Sequence, residues 1–305
     1  MKHPQTPKKK KVGDRRFIIL MLLPSISLVL LFTYYPLFKS IPMAFQNYNL
    51  FNIKNIKFIG LDNFRTLFDR SPSNMFYNTL GNTVKWVVVS LIAQFSIGFL
   101  MAMLLQRAFR GRRLYQALIF FPWAISGFAI GIIWRWMFNG SAGVINDILI
   151  KLGIFETQYG FLSEVGSATN ATIVANIWYG IPFFTIMITA ALQSVPIDLY
   201  EAAEVDGANA FQQFTHVTLP YIKPVLVLTV LLRVIWIFNF PDLIYSMTSG
   251  APAGSSHIVT SYMMEKIRSL DYGMGSAIGL IVILFLSVYT AIYLAVTKFD
   301  SMGEI

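Results

Sequence analysis

The 305-residue chain has no cysteine, which excludes disulfides, thiolate metal sites and cysteine nucleophiles. Charge is scarce: only 13% of residues are Asp, Glu, Lys or Arg, where a soluble domain carries about 25%. The three histidines, His3, His216 and His257, stand far apart and match no metal-binding spacing. No Gly-Lys dipeptide occurs, so there is no G-x4-G-K-[ST] phosphate loop through which this chain could hydrolyse ATP. No Ser/His/Asp set or metal cluster marks a membrane-embedded enzyme. Mid-span carboxylates are nearly absent, Asp242 being the main exception, and no internal repeat is evident. Both would be expected of an ion- or proton-coupled secondary transporter, which is the alternative reading.

What the chain does have is apolar length. Hydrophobic residues make up 55% and mean hydropathy is +0.59. They cluster into six candidate spans: Phe17–Leu37, Thr83–Leu105, Tyr115–Met137, Thr172–Leu192, Val225–Met247 and Ser276–Val296. About 20 residues at 1.5 Å rise cross about 30 Å of hydrocarbon. Backbone groups in lipid must bond internally, so the expected fold is all-α, a polytopic membrane protein. The first span is too long for a signal-peptide core and lacks an A-x-A-like site, so it reads as an uncleaved helix.

The net charge of +9 is not a nucleic-acid signature, because the basic residues flank apolar spans. Seven of 24 lie in the first 16 positions and four more in Arg107–Arg113. With the N-terminus inside, inner segments hold 13 basic residues against 8 outside, and six spans return the C-terminus to the same side. The expected organisation is a basic tail (1–16), a first helix with an outer loop (17–78), a five-helix core (79–297) containing a cytoplasmic loop (194–224), and a short tail (298–305). Gly127/Gly131 and Gly275/Gly279 form G-x-x-x-G faces suited to close helix packing. Pro24, Pro36, Pro122, Pro182 and Pro241 mark expected kinks.

The segment Pro196–Pro224 is too polar to span. Ile197–Asp206 reads as a short helix interrupted by Gly207, and Asn209 with Gln212 makes a capping box. A second short helix, Ala210–Val217, is expected to stop before Pro220. Ala202 and Ala203 offer a smooth surface, and Glu201 a charge for a partner's Arg or Lys. Glu201-Ala202-Ala203, Gly207 and Val217-x-Leu219-Pro220 resemble the E-A-A-x3-G-x9-I-x-L-P loop of binding-protein-dependent ABC importer permeases, with Val217 in place of Ile. Leu22-Leu23-Pro24, Tyr35-Pro36, Phe58–Phe64, Phe238–Pro252 and Leu270–Gly273 resemble the sugar-type members, the maltose and glycerol-phosphate permeases. Ser249-Gly250-Ala251-Pro252 departs from that family's glycine-richer turn.

The resemblance implies a permease in a bacterial plasma membrane that imports a carbohydrate by alternating access, with Glu201 as ionic contact and Gly207 as turn. It implies a second, non-identical permease, two ATP-binding subunits that hold the ATP and Mg, and an external solute-binding protein. No cofactor, metal or nucleic acid is expected on this chain. Candidate solute contacts are polar and aromatic residues at mid-membrane depth. Asn176, Gly180 and Phe183 share one helix face, and Arg233, Trp236 and Phe240 another, with Asn239 beside them. Arg233 binds an anionic group or pairs with an acid such as Asp242. Arg135, near the outer end of its span, reads as a snorkelling residue.

Overall fold

The computed structural model describes residues 12–71, 74–106 and 109–299. The stretch 1–11 of the basic tail, and the tail beyond residue 299, lie outside them. Among the described residues there is no strand longer than an isolated bridge.

Helix α1 (Val12–Val29) runs through a π turn into α2 (Tyr35–Met43), giving one span, Phe17–Met43. This span buries nothing against its own chain over its most apolar window. The segment that follows carries α3 (Asp62–Leu67). Asn63 Nδ2 donates to Ala44 O and Gln46 O, both at 2.9 Å, and folds this segment back on itself.

Four elements form the first part of the core: α4 (Phe76–Gln106), α5 (Arg112–Phe120), α6 (Gly127–Met137) and α7 (Val144–Lys151). The expected straight span Tyr115–Met137 is broken. Arg112–Ala124 and Gly127–Met137 meet at 101°. Pro122 lacks a donor, Ile125 is extended, and Ser126 restarts the helix, its Oγ accepting from Ala129 N at 3.3 Å. Neither arm alone is long enough to cross the hydrocarbon.

The long α8 (Ser167–Gln193) is followed by α9 (Ile197–Val205) and α10 (Ala210–Gln213). The remaining helices are α11 (Leu219–Phe238), α12 (Pro241–Met247), α13 (Val259–Arg268) and α14 (Tyr272–Thr297).

Two expectations are corrected here. The helix beginning at Ala210 does not stop before Pro220. A π turn, Phe214–Thr218, joins α10 to α11, with Leu219 N–H bonded to Phe214 O, and Ala210–Phe238 is one 29-residue span. A proline ring clashes with the carbonyl four residues back in a regular helix. The wider π turn just before Pro220 carries the ladder past that point. The same device precedes Pro36, where Tyr35 N–H bonds Leu30 O.

The expected span Val225–Met247 ends early, at Phe238. Asn239 and Phe240 leave helical geometry because a residue before proline avoids it. The carbonyls freed at this end are taken by Trp86 Nε1, which donates to Ile237 O at 2.9 Å, and by Thr260 Oγ1, which donates to Phe238 O at 3.1 Å.

The helices close where small residues permit. Gly98 lets α4 approach Phe184 and Ile181 O of α8, and Gly127 and Gly131 admit Phe240 and Ser246 of the α12 region against α6. Apolar packing around Trp86, Ile130, Ile237 and Leu243 locks one part of the bundle, and Phe184, Ile188, Leu192 and Ile222 lock another.

A methyl group at Gly131 would overlap Ser246 Oγ, whereas one at Gly279 meets only Met263 Sδ, at 3.4 Å. Gly131→Ala is therefore expected to cost about 2 kcal/mol and lower the thermal midpoint of the purified protein, while Gly279→Ala leaves it unchanged. Equal midpoints for the two variants would contradict the packing described.

Candidate docking loop and translocation cavity

The loop between α8 and α11 is built as two capped turns. Asp198 sits in the first turn of α9, where a carboxylate complements the helix dipole. The C-terminus of α9 closes as a Schellman motif: Gly207 N–H donates to Glu204 O at 3.0 Å and Ala208 N–H to Ala203 O at 2.9 Å. That motif needs a left-handed residue, and Gly207 has φ +77°. Asn209 Oδ1 then accepts from Phe211 N and Gln212 N, and Gln212 Oε1 accepts from Asn209 N at 2.9 Å, completing the capping box read from sequence.

The loop has an anchored side and a free side. Tyr200 Oη and Thr218 Oγ1 bond at 2.8 Å, and Phe214 meets Phe99 edge-on with centroids 6.1 Å apart. Val217 packs inward with them. Glu201 and Ala202 are exposed, Ala203 and Val217 are half-buried, and Leu219 and Pro220 are exposed in the continuous helix. Sequence reasoning missed two bulky apolar residues on the free side, Val205 (89% exposed) and Phe211 (73%). Their signal was their position, on either side of the Gly207 turn.

Helices α8 and α11, with the bend before α6, enclose a cavity of about 220 Å³. Of the expected contacts, Asn176, Arg233, Trp236, Asn239 and Phe240 line it. Gly180 and Phe183 do not, and stand behind its wall. Any side chain at Gly180 would overlap Gln94 and Arg233, so the glycine makes room for them. Phe183 lies between Trp123 and Trp236, at centroid distances of 5.8 and 5.2 Å, with the Arg233 guanidinium 5.5 Å from its ring centre.

Tyr179 and Phe240 stack at 5.1 Å and 12° to form another wall. Trp178 points the other way, onto Trp134. Trp123 also lines the cavity and was missed, because it lies at the bend in the third apolar block, which periodicity treats as straight.

A hydrogen-bond chain runs behind the cavity. Arg233 Nε donates to Gln94 Oε1 at 2.7 Å, Gln94 Nε2 donates to Asn176 O at 2.8 Å, and Asn176 Nδ2 donates to Ser90 Oγ at 3.0 Å. Gln94 and Ser90 are fully buried and were not among the expected residues, since one amide or hydroxyl in an apolar helix carries no periodic signal. Arg233 does not pair with Asp242, which is exposed on α12. Asn176 Oδ1 is buried without a partner. Arg135 is exposed in the last turn of α6. Among the described residues no cluster of His, Cys, Asp or Glu could hold a metal.

Residues 94–299 match the family described as the binding-protein-dependent transport system inner membrane component. The chain is 33% identical, over 95% of its length and 97% of the other's, to a trehalose/maltose transport system permease protein of Thermococcus litoralis. It is 32% identical, over 94% of its length and 92% of the other's, to a sulfoquinovosyl glycerol transport system permease protein of Agrobacterium fabrum. Among solved structures it resembles a chain of a bacterial alginate ABC transporter bound to its pentasaccharide-loaded periplasmic protein. The TM-score is 0.80 at 26% identity, covering 94% of this chain and 96% of that one. Fold, loop and likeness agree: the chain is a multi-pass membrane protein that belongs to the family of inner-membrane permease components of binding-protein-dependent ABC importers.

Proposed function

We propose that the chain is one of two permease subunits of an ATP-driven carbohydrate importer, and that the loop from Ile197 to Pro220 docks on a separate ATPase. The observation that carries this reading is that the loop and the cavity share the same two helices. Helix α8 holds Asn176 and Tyr179 and is separated from α9 by three residues. The span Ala210–Phe238 starts in the loop and carries Arg233 and Trp236 into the cavity. From Ala210 to Arg233 a helix covers about 35 Å, so a push on the loop reaches the cavity wall as a lever. Energy from ATP and Mg on two partner ATPase subunits would enter this way and rock the bundle between outward and inward access.

The exposed Glu201, the small Ala202 and the flanking Val205 and Phe211 form a surface with one charge and two apolar knobs. A basic cleft with an apolar floor complements it. Glu201, Ala202, Ala203, Gly207, Val217, Leu219 and Pro220 are assigned to this docking element, Leu219 and Pro220 as part of the lever rather than as a stop. The unburied first span and the half-exposed Trp236 leave faces for the second permease and for lipid. The basic bias supports a cytoplasmic N-terminus and docking loop, an orientation that requires the bent third block to serve as the sixth crossing.

A pyranose offers C–H faces for Trp123, Trp236 and Phe240 and hydroxyls for Asn176, Arg233 and Asn239. The names of the relatives span neutral and acidic carbohydrates. A secondary carrier finds no support in these relatives.

Glu201→Lys is expected to leave the chain in the membrane but abolish co-purification of the ATPase subunit and cut uptake at least about ten-fold. Normal recruitment and uptake would remove Glu201 from the docking surface. Trp236→Ala is expected to raise KM for the transported carbohydrate about ten-fold and to leave basal ATPase activity unchanged. An unaltered KM would return Trp236 to a packing role.

A further inference from the structure

We infer that the cavity between α8 and α11 is an oxyanion site, in which the free edge of Arg233 takes a carboxylate, sulfonate or phosphate group. A guanidinium stays charged under all physiological conditions. Arg233 is 3% exposed and lies on the crossing helix Ala210–Phe238, five residues before its end. Arg65 with Asp62, Lys151 with Asp147 and His257 with Glu265 make acid–base contacts among the described residues, and none of these involves Arg233. Its one hydrogen bond, from Nε, goes to the neutral amide of Gln94, and its other neighbours are the face of Phe183 and the neutral phenol of Tyr179.

A cation in a low-dielectric interior is unfavourable unless an anion meets it. The arrangement is nevertheless built. Gln94 is held by Asn176 O, so its Oε1 faces Arg233, and only a glycine at position 180 leaves space for both side chains. Arg233 therefore stands as half of an ion pair, on the wall of a cavity.

Asn176, which also lines the cavity, has its Oδ1 buried without a partner. The unpaired edge of the guanidinium matches an oxyanion. The group comes from one of two sources: an acidic substituent on the carbohydrate, which rests on the function proposed above, or a carboxylate of the second permease where it closes the cavity.

The test uses the complete complex of both permeases and the ATPase subunits, without the binding protein so that sugar reaches the cavity directly. Trp123 and Trp236 line the cavity, so tryptophan fluorescence reports occupancy by galacturonate or by galactose. If the solute supplies the anion, galacturonate binds about ten-fold more tightly than galactose. Arg233→Met then abolishes that preference while the two permeases still co-purify. If the second permease supplies it, the two sugars bind alike and Arg233→Met loosens the permease pair. Changing the facing Asp or Glu of the second subunit to its amide then restores the pair.

Arg233→Lys, which keeps the charge but not the planar fork, preserves assembly in both cases and serves if the Met variant does not fold. In the solute case it also loses part of the preference. No sugar preference together with an Arg233→Met pair as stable as wild type overturns the proposal. If neither sugar binds the wild type, the carbohydrate reading is what fails, and the permease-pair measurement alone decides the oxyanion site.

Discussion

Every backbone donor and acceptor inside hydrocarbon must be satisfied within the protein, and that constraint shapes the segment from Ala210 to Phe238. It passes two prolines, Pro220 and Pro224, and stays helical. The π turn at Phe214–Thr218 carries the backbone ladder past Pro220 with Leu219 N–H on Phe214 O. A mechanical consequence follows. Were the helix to end at Pro220, the loop would hang from the bundle by a flexible joint. Because it continues, the capping box at Asn209 and the cavity wall at Arg233 belong to one stiff element.

The cavity shows the opposite economy. The bundle buries Arg233, Gln94, Asn176 and Ser90 next to one another and gives up apolar packing to do so. A bundle optimised only for stability would fill this space with aliphatic side chains. Buried polar groups that are nearly but not fully satisfied, flanked by stacked rings, suit a site that exchanges partners during a transport cycle.

Much of this was readable beforehand, for physical reasons. Apolar length fixed where most helices cross, and the Gly207 turn with its Asn209/Gln212 cap was legible because both are local backbone chemistry. Five of the seven expected solute contacts do line one cavity. The misses share a cause: hydropathy averages over a window and does not register a change of direction. The bend at Ile125–Ser126 and the exit at Asn239–Phe240 are set by single residues before or after proline, inside uninterrupted apolar runs. The continuity through Pro220 was missed for the converse reason, since proline was read as a stop and the π turn that accommodates it has no sequence signature. Gln94 was invisible because its role depends on α11, 139 positions away.

The central claim is that the docking loop moves the cavity wall through an unbroken helix. The most direct measurement is carbohydrate uptake per ATP hydrolysed in proteoliposomes carrying the double substitution Thr215→Gly and His216→Gly within the π turn. The lever account predicts that the ATPase subunits still bind and hydrolyse ATP while uptake collapses, because the added backbone freedom absorbs the stroke. Uptake per ATP equal to that of the unaltered complex would contradict it.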